Sequence, residues 1–273
     1  MDHVIVLVDG ERNGGRGHSV PGSRGRADLL RHTLMRADRI VDPERIVVVT
    51  TAEQRAETDR CLADWPRVGR IEQPRDRGTV PALLLPILSI LEHDPHARIV
   101  VLPAEDDVAD DDGFVRCITA AMADLRHYPF ELLLLGAKLT WPEAGQRWIL
   151  PKTARGWPRI AAFRESPPLA EVPGLIQEGA LANTLVMVGD AWSFAALVLQ
   201  EVPVWFHALR SALHDPELLA RTYNLLPTVN FSERVLDAAR SDVRLVPMPP
   251  VGWSHTPGRT QGPRSSAPRH SLP

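Results

Sequence analysis

The chain has only two cysteines in 273 residues. Cys61 and Cys117 fall in stretches of helical spacing, so they read as core thiols and not as a disulfide framework. Charge of one sign is also missing: 31 basic side chains face 34 acidic ones, for a net charge of −3. Bulk charge therefore implies neither a nucleic-acid nor a membrane partner. Apolar runs such as 132–135 fall far short of the roughly 20 residues that a bilayer-spanning helix needs. No leader pattern precedes the first strand, so a cytoplasmic protein is expected. Internal repeats, zinc-ligand spacings and H-E-x-x-H are absent.

What is present is a strand–helix alternation. A hydrophobic share of 44% suits a sizeable core. Val4-Ile5-Val6-Leu7-Val8 is continuous and apolar, as expected of a strand buried on both faces. Further buried strands are expected over 45–50, 98–102 and 131–136. Helical stretches fall between them, at 29–40, 52–65, 80–91 and 112–127. This alternation predicts parallel pairing through right-handed crossovers, hence a doubly wound α/β sheet. The second half is less regular. A hairpin is expected within 141–157 and strands over 185–188 and 243–248. Helices are expected over 191–200, 203–219 and 232–240. One domain is expected over 1–255. Residues 256–273, rich in Pro, Gly, Ser and Arg, read as a disordered tail.

Open parallel sheets bind ligands at the carboxyl ends of their strands, and four segments are expected to converge there. The first is Asp9-Gly10-Glu11-Arg12-Asn13-Gly14-Gly15-Arg16-Gly17-His18. Its glycines let backbone N–H groups approach an anion. Gly10 and Gly15 have P-loop spacing, but Arg16 and Gly17 stand where Lys and Ser/Thr are required. Phosphate binding and a plain surface loop both stay open. The second segment is Gln73-Pro74-Arg75-Asp76-Arg77-Gly78-Thr79. Thr79 is placed to cap the helix that follows. Arg75 and Arg77 beside a helix start either favour an anion or are solvated surface charges. The third is Glu105-Asp106-Asp107 after a buried strand. Glu105 and Asp106 could hold Mg²⁺, whereas 110–112 suits an acidic helix start. The fourth is Gly252-Trp253-Ser254-His255, where His255 is structural or a ligand.

Taken together, these residues resemble the mannose-1-phosphate guanylyltransferase family. Gln73-Pro74 with Arg77-Gly78-Thr79-Val80-Pro81-Ala82 is similar to E-P-x-x-R-N-T-A-P-A. Val101-Leu102-Pro103-Ala104-Glu105-Asp106 is similar to V-L-P-S-D-H. Trp141-Pro142-Glu143-Ala144-Gly145 is similar to R-P-E-T-G, Phe163-Arg164-Glu165-Ser166-Pro167 to F-x-E-K-P, Ala182-Asn183-Thr184 to W-N-S, and Gly252-Trp253-Ser254-His255 to G-W-x-D. The order holds over about 3–256. The resemblance implies a Rossmann-like, GT-A-like nucleotidyltransferase domain with a mixed central sheet.

The resemblance also assigns roles. Gly10, Arg12, Gln73, Pro74, Arg77 and Thr79 would contact the nucleotide. Arg16 and Glu105 would be catalytic. Glu143, Gly145, Glu165 and Asn183 would face the sugar. Glu105, Asp106 and His255 would hold Mg²⁺. The chain departs from the family where phosphate chemistry is expected. Asp9 replaces the first loop glycine and the loop has no lysine. Glu105 and His255 stand at the two metal aspartates, and Ser166 stands at the sugar-phosphate lysine. A nucleotide or sugar phosphate is the implied partner. Two functions remain open, beside a pocket rebuilt for another phosphorylated or acidic substrate. One is an active enzyme of the GDP-mannose-forming type, which joins a sugar 1-phosphate to a nucleoside triphosphate and releases pyrophosphate. The other is an inactive homologue that binds a nucleotide or nucleotide sugar as a sensor or regulatory subunit. The expected protein partners are a second copy of the chain, as a homo-oligomer, or an active homologue.

Overall fold

The computed structural model describes residues 1–8, 25–139, 145–152 and 156–255. Its first half follows the expected alternation. Strand β1 (Asp2–Leu7) leads through helix α1 (Arg26–Asp38) to β2 (Ile46–Thr51). Helix α2 (Arg55–Leu62) then leads to β3 (Gly69–Gln73), and α3 (Thr79–His93) to β4 (Arg98–Pro103). Helix α4 (Asp111–Asp124) precedes β5 (Leu132–Ala137). β3 was not expected from the sequence. Its Gly-Arg-Ile-Glu-Gln run has little apolar content, and only Gln73 in it is fully buried. A strand at the edge of a sheet needs less apolar surface than a central one.

The second half adds β6 (Trp148–Pro151), β7 (Ile160–Arg164), α5 (Val172–Gln177), β8 (Leu181–Asp190) and α6 (Ala191–Glu201). Helices α7 (Pro203–Ala212) and α8 (Pro216–Leu225) and strand β9 (Val243–Pro247) follow. The expected single helix over 203–219 is two helices. The Asp215 carboxylate accepts from Leu218 N at 2.9 Å and starts α8 afresh, with Pro216 in its first turn. The expected helix over 232–240 is a short π-helical turn, Phe231–Leu236.

Strand order along the sheet is β3-β2-β1-β4-β8-β5-β9, with β6 pairing β8 and β7. β1 is parallel to both β2 and β4, so the chain reverses its direction of travel across the sheet between those neighbours. β8 runs antiparallel to β4 and β5, which makes the sheet mixed.

Each face carries its own core. Ile5 and Leu7 pack with α3, α6 and α7, while Val4 and Val6 pack with α1 and α4. The period-2 alternation of strand side chains divides them this way. α3 is buried from Val80 through Leu91 except at Ser89, which explains its apolar sequence on every side. Cys61 and Cys117 are free thiols in different helices, and burial pushes both pKa values up. Among the described residues, no helix is long and apolar enough to cross a membrane. The tail over 256–273 and the Gly-rich loop, with Gly10, Arg12 and Arg16, lie outside the described residues, as does Glu143.

Candidate functional site

A cleft of about 810 Å³, part of it open to solvent, lies where β1, β3 and β4 end. This is the position predicted for ligand binding in a sheet whose strand order reverses. The cleft brings together Gln73, Thr79, Glu105, Gly145, Asn183 and His255. Four other expected residues, Pro74, Arg77, Asp106 and Glu165, are not among those lining it.

The β3–α3 connection builds one wall. Gly78 has φ of 82°, and a Cβ there would sit 2.5 Å from the carbonyl oxygen of Val229. Only glycine permits that approach. Close contact lets Val229 N donate to Arg77 O at 2.9 Å and Val80 N donate to Val229 O at 3.0 Å. Thr79 is expected from the sequence to cap α3, but the N-cap is Gly78 and Thr79 is the first helical residue. Its hydroxyl instead accepts from Phe231 N at 2.7 Å, tying the 231–236 turn to the helix start.

Gln73 is buried, and its Oε1 accepts from the Tyr223 hydroxyl at 3.2 Å. Burial, and behind it the charge of Asp76, pushes the Tyr223 pKa far up, so this phenol stays a donor. Arg77 turns away from the cleft. Its Nε donates to Tyr223 O at 2.6 Å and its Nη2 to Asn224 O at 3.2 Å. These are carbonyls in the last turn of α8, which lack helical partners and attract a cation.

The β4 exit builds the opposite wall. Asp107 and Ser254 exchange two backbone hydrogen bonds of 2.9 Å, which sets the 251–255 segment against that exit. Asp106, 2% exposed, accepts from Trp253 Nε1 at 2.9 Å and lies 3.1 Å from His255 Nδ1. A carboxylate only accepts, so Nδ1 is the protonated ring nitrogen in this contact. Glu105 Oε1 accepts from Arg26 Nε at 2.9 Å. Asp110 caps α4 through Gly113 N at 2.9 Å. Asp111 and Asp112 pair with Arg36 and Arg39. Asp110 is thus occupied by the start of α4, and Asp111 and Asp112 by arginines at the end of α1.

The residues expected to hold Mg²⁺ are Glu105, Asp106 and His255, of which Glu105 and His255 line the cleft. No three His, Cys, Asp or Glu side chains among the described residues gather into a group that could hold a metal. The Glu105 carboxylate is paired with Arg26, both oxygens of Asp106 are engaged, and His255 offers nitrogen where Mg²⁺ prefers oxygen.

The hairpin and β8 close the far end. Leu185, which lines the cleft, has φ of 56°, a rare state for a leucine. Near it, pairing between β8 and β5 shifts register. Asn183 Oδ1 accepts from Leu185 N at 3.0 Å, and Thr184 Oγ1 accepts from Val186 N at 3.1 Å. Asn183 Nδ2 donates to Ser232 Oγ at 3.3 Å. Asn183 therefore shapes the bulge as well as facing the cleft. The sequence reading missed Arg147, Ser232 and Asp76, all of which line the cleft.

No protein-family model matches the chain. The xanthan biosynthesis protein XanB of Xanthomonas campestris pv. campestris is 27% identical over 157 residues, which are 57% of this chain. The match spans a third of that relative's length (33%). A mannose-1-phosphate geranyltransferase from Thermus thermophilus superposes with a TM-score of 0.79 at 24% identity, covering 93% of this chain and 76% of that one. A mannose-6-phosphate isomerase from Helicobacter pylori gives 0.72 at 14% identity, covering 92% and 99%. A putative glucose-1-phosphate thymidylyltransferase from Bacillus anthracis gives 0.56 at 16% identity, covering 91% and 87%. The chain thus has the mixed α/β fold of sugar-phosphate nucleotidyltransferases, and its sequence resembles the mannose-1-phosphate guanylyltransferase family with several signature positions changed.

Proposed function

We propose that this chain is a sugar-phosphate nucleotidyltransferase. A nucleoside triphosphate and a sugar 1-phosphate occupy the cleft side by side. A phosphate oxygen of the sugar phosphate attacks the α-phosphorus of the triphosphate. One P–O bond forms, the bond to the β-phosphate oxygen breaks, and pyrophosphate leaves with its electron pair. No protein nucleophile takes part. GTP and mannose 1-phosphate are the proposed pair, on the sequence resemblance. The observation that carries this proposal is the convergence of Gln73, Thr79, Glu105, Gly145, Asn183 and His255 on one cleft at the strand ends. These residues come from distant parts of the chain.

Catalysis of this kind works by positioning the phosphates and neutralising their charge. The Gln73 carboxamide, fixed by Tyr223, and the polar edge at Thr79 would orient the nucleotide on the β3–α3 wall. Asn183 and Gly145 would face the sugar. His255, held by Asp106, would lie against the phosphates from the β4 side.

A second reading is favoured by one specific observation. Glu105, the one carboxylate after β4 that lines the cleft among the described residues, is bound by Arg26. A chain so arranged could bind a nucleotide or nucleotide sugar as a sensor or regulatory subunit without turnover. A pyrophosphate-release assay with GTP and mannose 1-phosphate, repeated with other nucleoside triphosphates, separates the two. Release supports the enzyme. Saturable binding with no release under any pairing supports the sensor.

A further inference from the structure

The ionisable side chains lining the cleft, among the described residues, are Asp76, Glu105, Arg147 and His255. Arg147 is the one with a permanent positive charge. Its place follows from hairpin register. Trp148 pairs with Arg164 in an antiparallel ladder, so one step outward sets Arg147 opposite Glu165. Arg147 Nε lies 2.6 Å from Glu165 Oε2, and Nη2 donates to Glu233 on the 231–236 turn. The Arg147 carbonyl accepts from Asn183 N at 2.8 Å, which anchors the backbone to β8. Two nitrogens of the guanidinium are therefore clamped. Nη1, with its two N–H groups, has no hydrogen-bond partner among the described residues.

The Glu165 and Glu233 side chains are 43% and 46% exposed and neither lines the cleft. In direct contact they offset the guanidinium charge, so what Arg147 offers an anion is its Nη1 donor edge. Arg147 itself is 18% exposed, in a setting where a charge-assisted hydrogen bond to an anion is stronger. Its neighbours along this end of the cleft are neutral polar groups, Gln146, Asn183 and Ser232. The two carboxylates of the cleft, Asp76 and Glu105, come from β3–α3 and β4.

We infer that Arg147 is an anion-binding residue whose Nη1 edge takes a phosphate monoester, with Glu165 and Glu233 as positioning residues that fix the guanidinium plane. In the reaction proposed above, that monoester is the sugar 1-phosphate. This last identification rests on the proposed function; the anion site does not. Glu165 then acts through Arg147 and makes no sugar contact of its own.

Calorimetric titration of the full chain with inorganic phosphate and with mannose 1-phosphate tests this, beside Arg147→Gln and Arg147→Lys. Arg147→Gln is expected to weaken both ligands by about tenfold or more, the loss of one charge-assisted bond. Arg147→Lys, which keeps the charge and loses the fork, is expected to weaken them less. Equal affinities in wild type and Arg147→Gln overturn the inference, even if nucleoside triphosphate binds normally. Failure of the wild type to bind either phosphate also overturns it. Inorganic phosphate binding that depends on Arg147, with no response to mannose 1-phosphate, supports the anion site and counts against the nucleotidyltransferase reading. If Arg147→Gln does not fold, phenylglyoxal labelling of wild-type Arg147, read by peptide mass spectrometry, replaces it. Phosphate is expected to slow that labelling, and an unchanged rate overturns the inference.

Discussion

Trp253 donates its indole N–H to the buried carboxylate of Asp106 at 2.9 Å, joining the end of β4 to the last described segment of the chain. His255 shares the same carboxylate at 3.1 Å, and Arg36 donates to the Asp106 carbonyl at 3.1 Å. One side chain thus holds His255 against the cleft. Asp106→Ala would leave the Trp253 N–H unpaired in the core and release His255. A loss of about 2–4 kcal/mol is expected in urea unfolding. Asp106→Asn, which keeps the shape and one acceptor, is expected to lose about half as much. Equal stability of all three proteins would show that Asp106 does not organise this wall.

Gly78→Ala tests the opposite wall. Its φ of 82° and the 2.5 Å approach of Val229 O leave no room for a methyl group. Strain of about 2 kcal/mol or more is expected, with the start of α3 and the 231–236 turn forced apart. Thermal melting measures the first effect and triphosphate titration the second. Wild-type values in both would mean that the backbone relaxes without disturbing the cleft.

For Arg77→Ala, stability and affinity are expected to separate. Arg77 serves the carbonyls of Tyr223 and Asn224. Its removal is expected to cost about 1–2 kcal/mol of folding stability. Triphosphate affinity is expected to change little by comparison. A large affinity loss at unchanged melting temperature would return Arg77 to the phosphates.

His3 supplies a pH dependence. Burial is the main cause that lowers its pKa from the ordinary 6.5. The N-terminal amine and Arg45 also lower it, and Asp94 opposes them. With the folded pKa depressed, the unfolded chain takes up the proton first as pH falls. The His3 contribution is therefore intact above about pH 6.5 and is lost as pH drops through the lower folded value. Melting temperature is expected to fall less in His3→Gln than in wild type between about pH 7.5 and 5. Parallel curves for the two proteins would remove His3 from the acid response.

Strands β1, β2, β4 and β5 are legible because each is a short apolar run between punctuating residues, as at Val4 through Leu7. β3 is not, since an edge strand ending in Gln73 has no such run. Thr79 carried a capping signature, yet its hydroxyl serves Phe231, a partner 152 positions away that no local pattern records. The cleft residues of β3, β4 and β8 were found through motifs at strand ends, where the fold gathers ligand groups. Arg147 escaped because its meaning depends on the register of β6 with β7, which places it opposite Glu165. Hairpin register is set by packing and turn geometry more than by composition.

Calorimetric titration of the full chain with GTP, other nucleoside triphosphates and GDP-mannose, each with and without Mg²⁺, tests the central claim most directly. Saturable binding of a triphosphate, lost together with the cleft in Gly78→Ala, is the predicted result. Heats indistinguishable from dilution for every nucleotide and nucleotide sugar, in a chain that melts cooperatively, would contradict it.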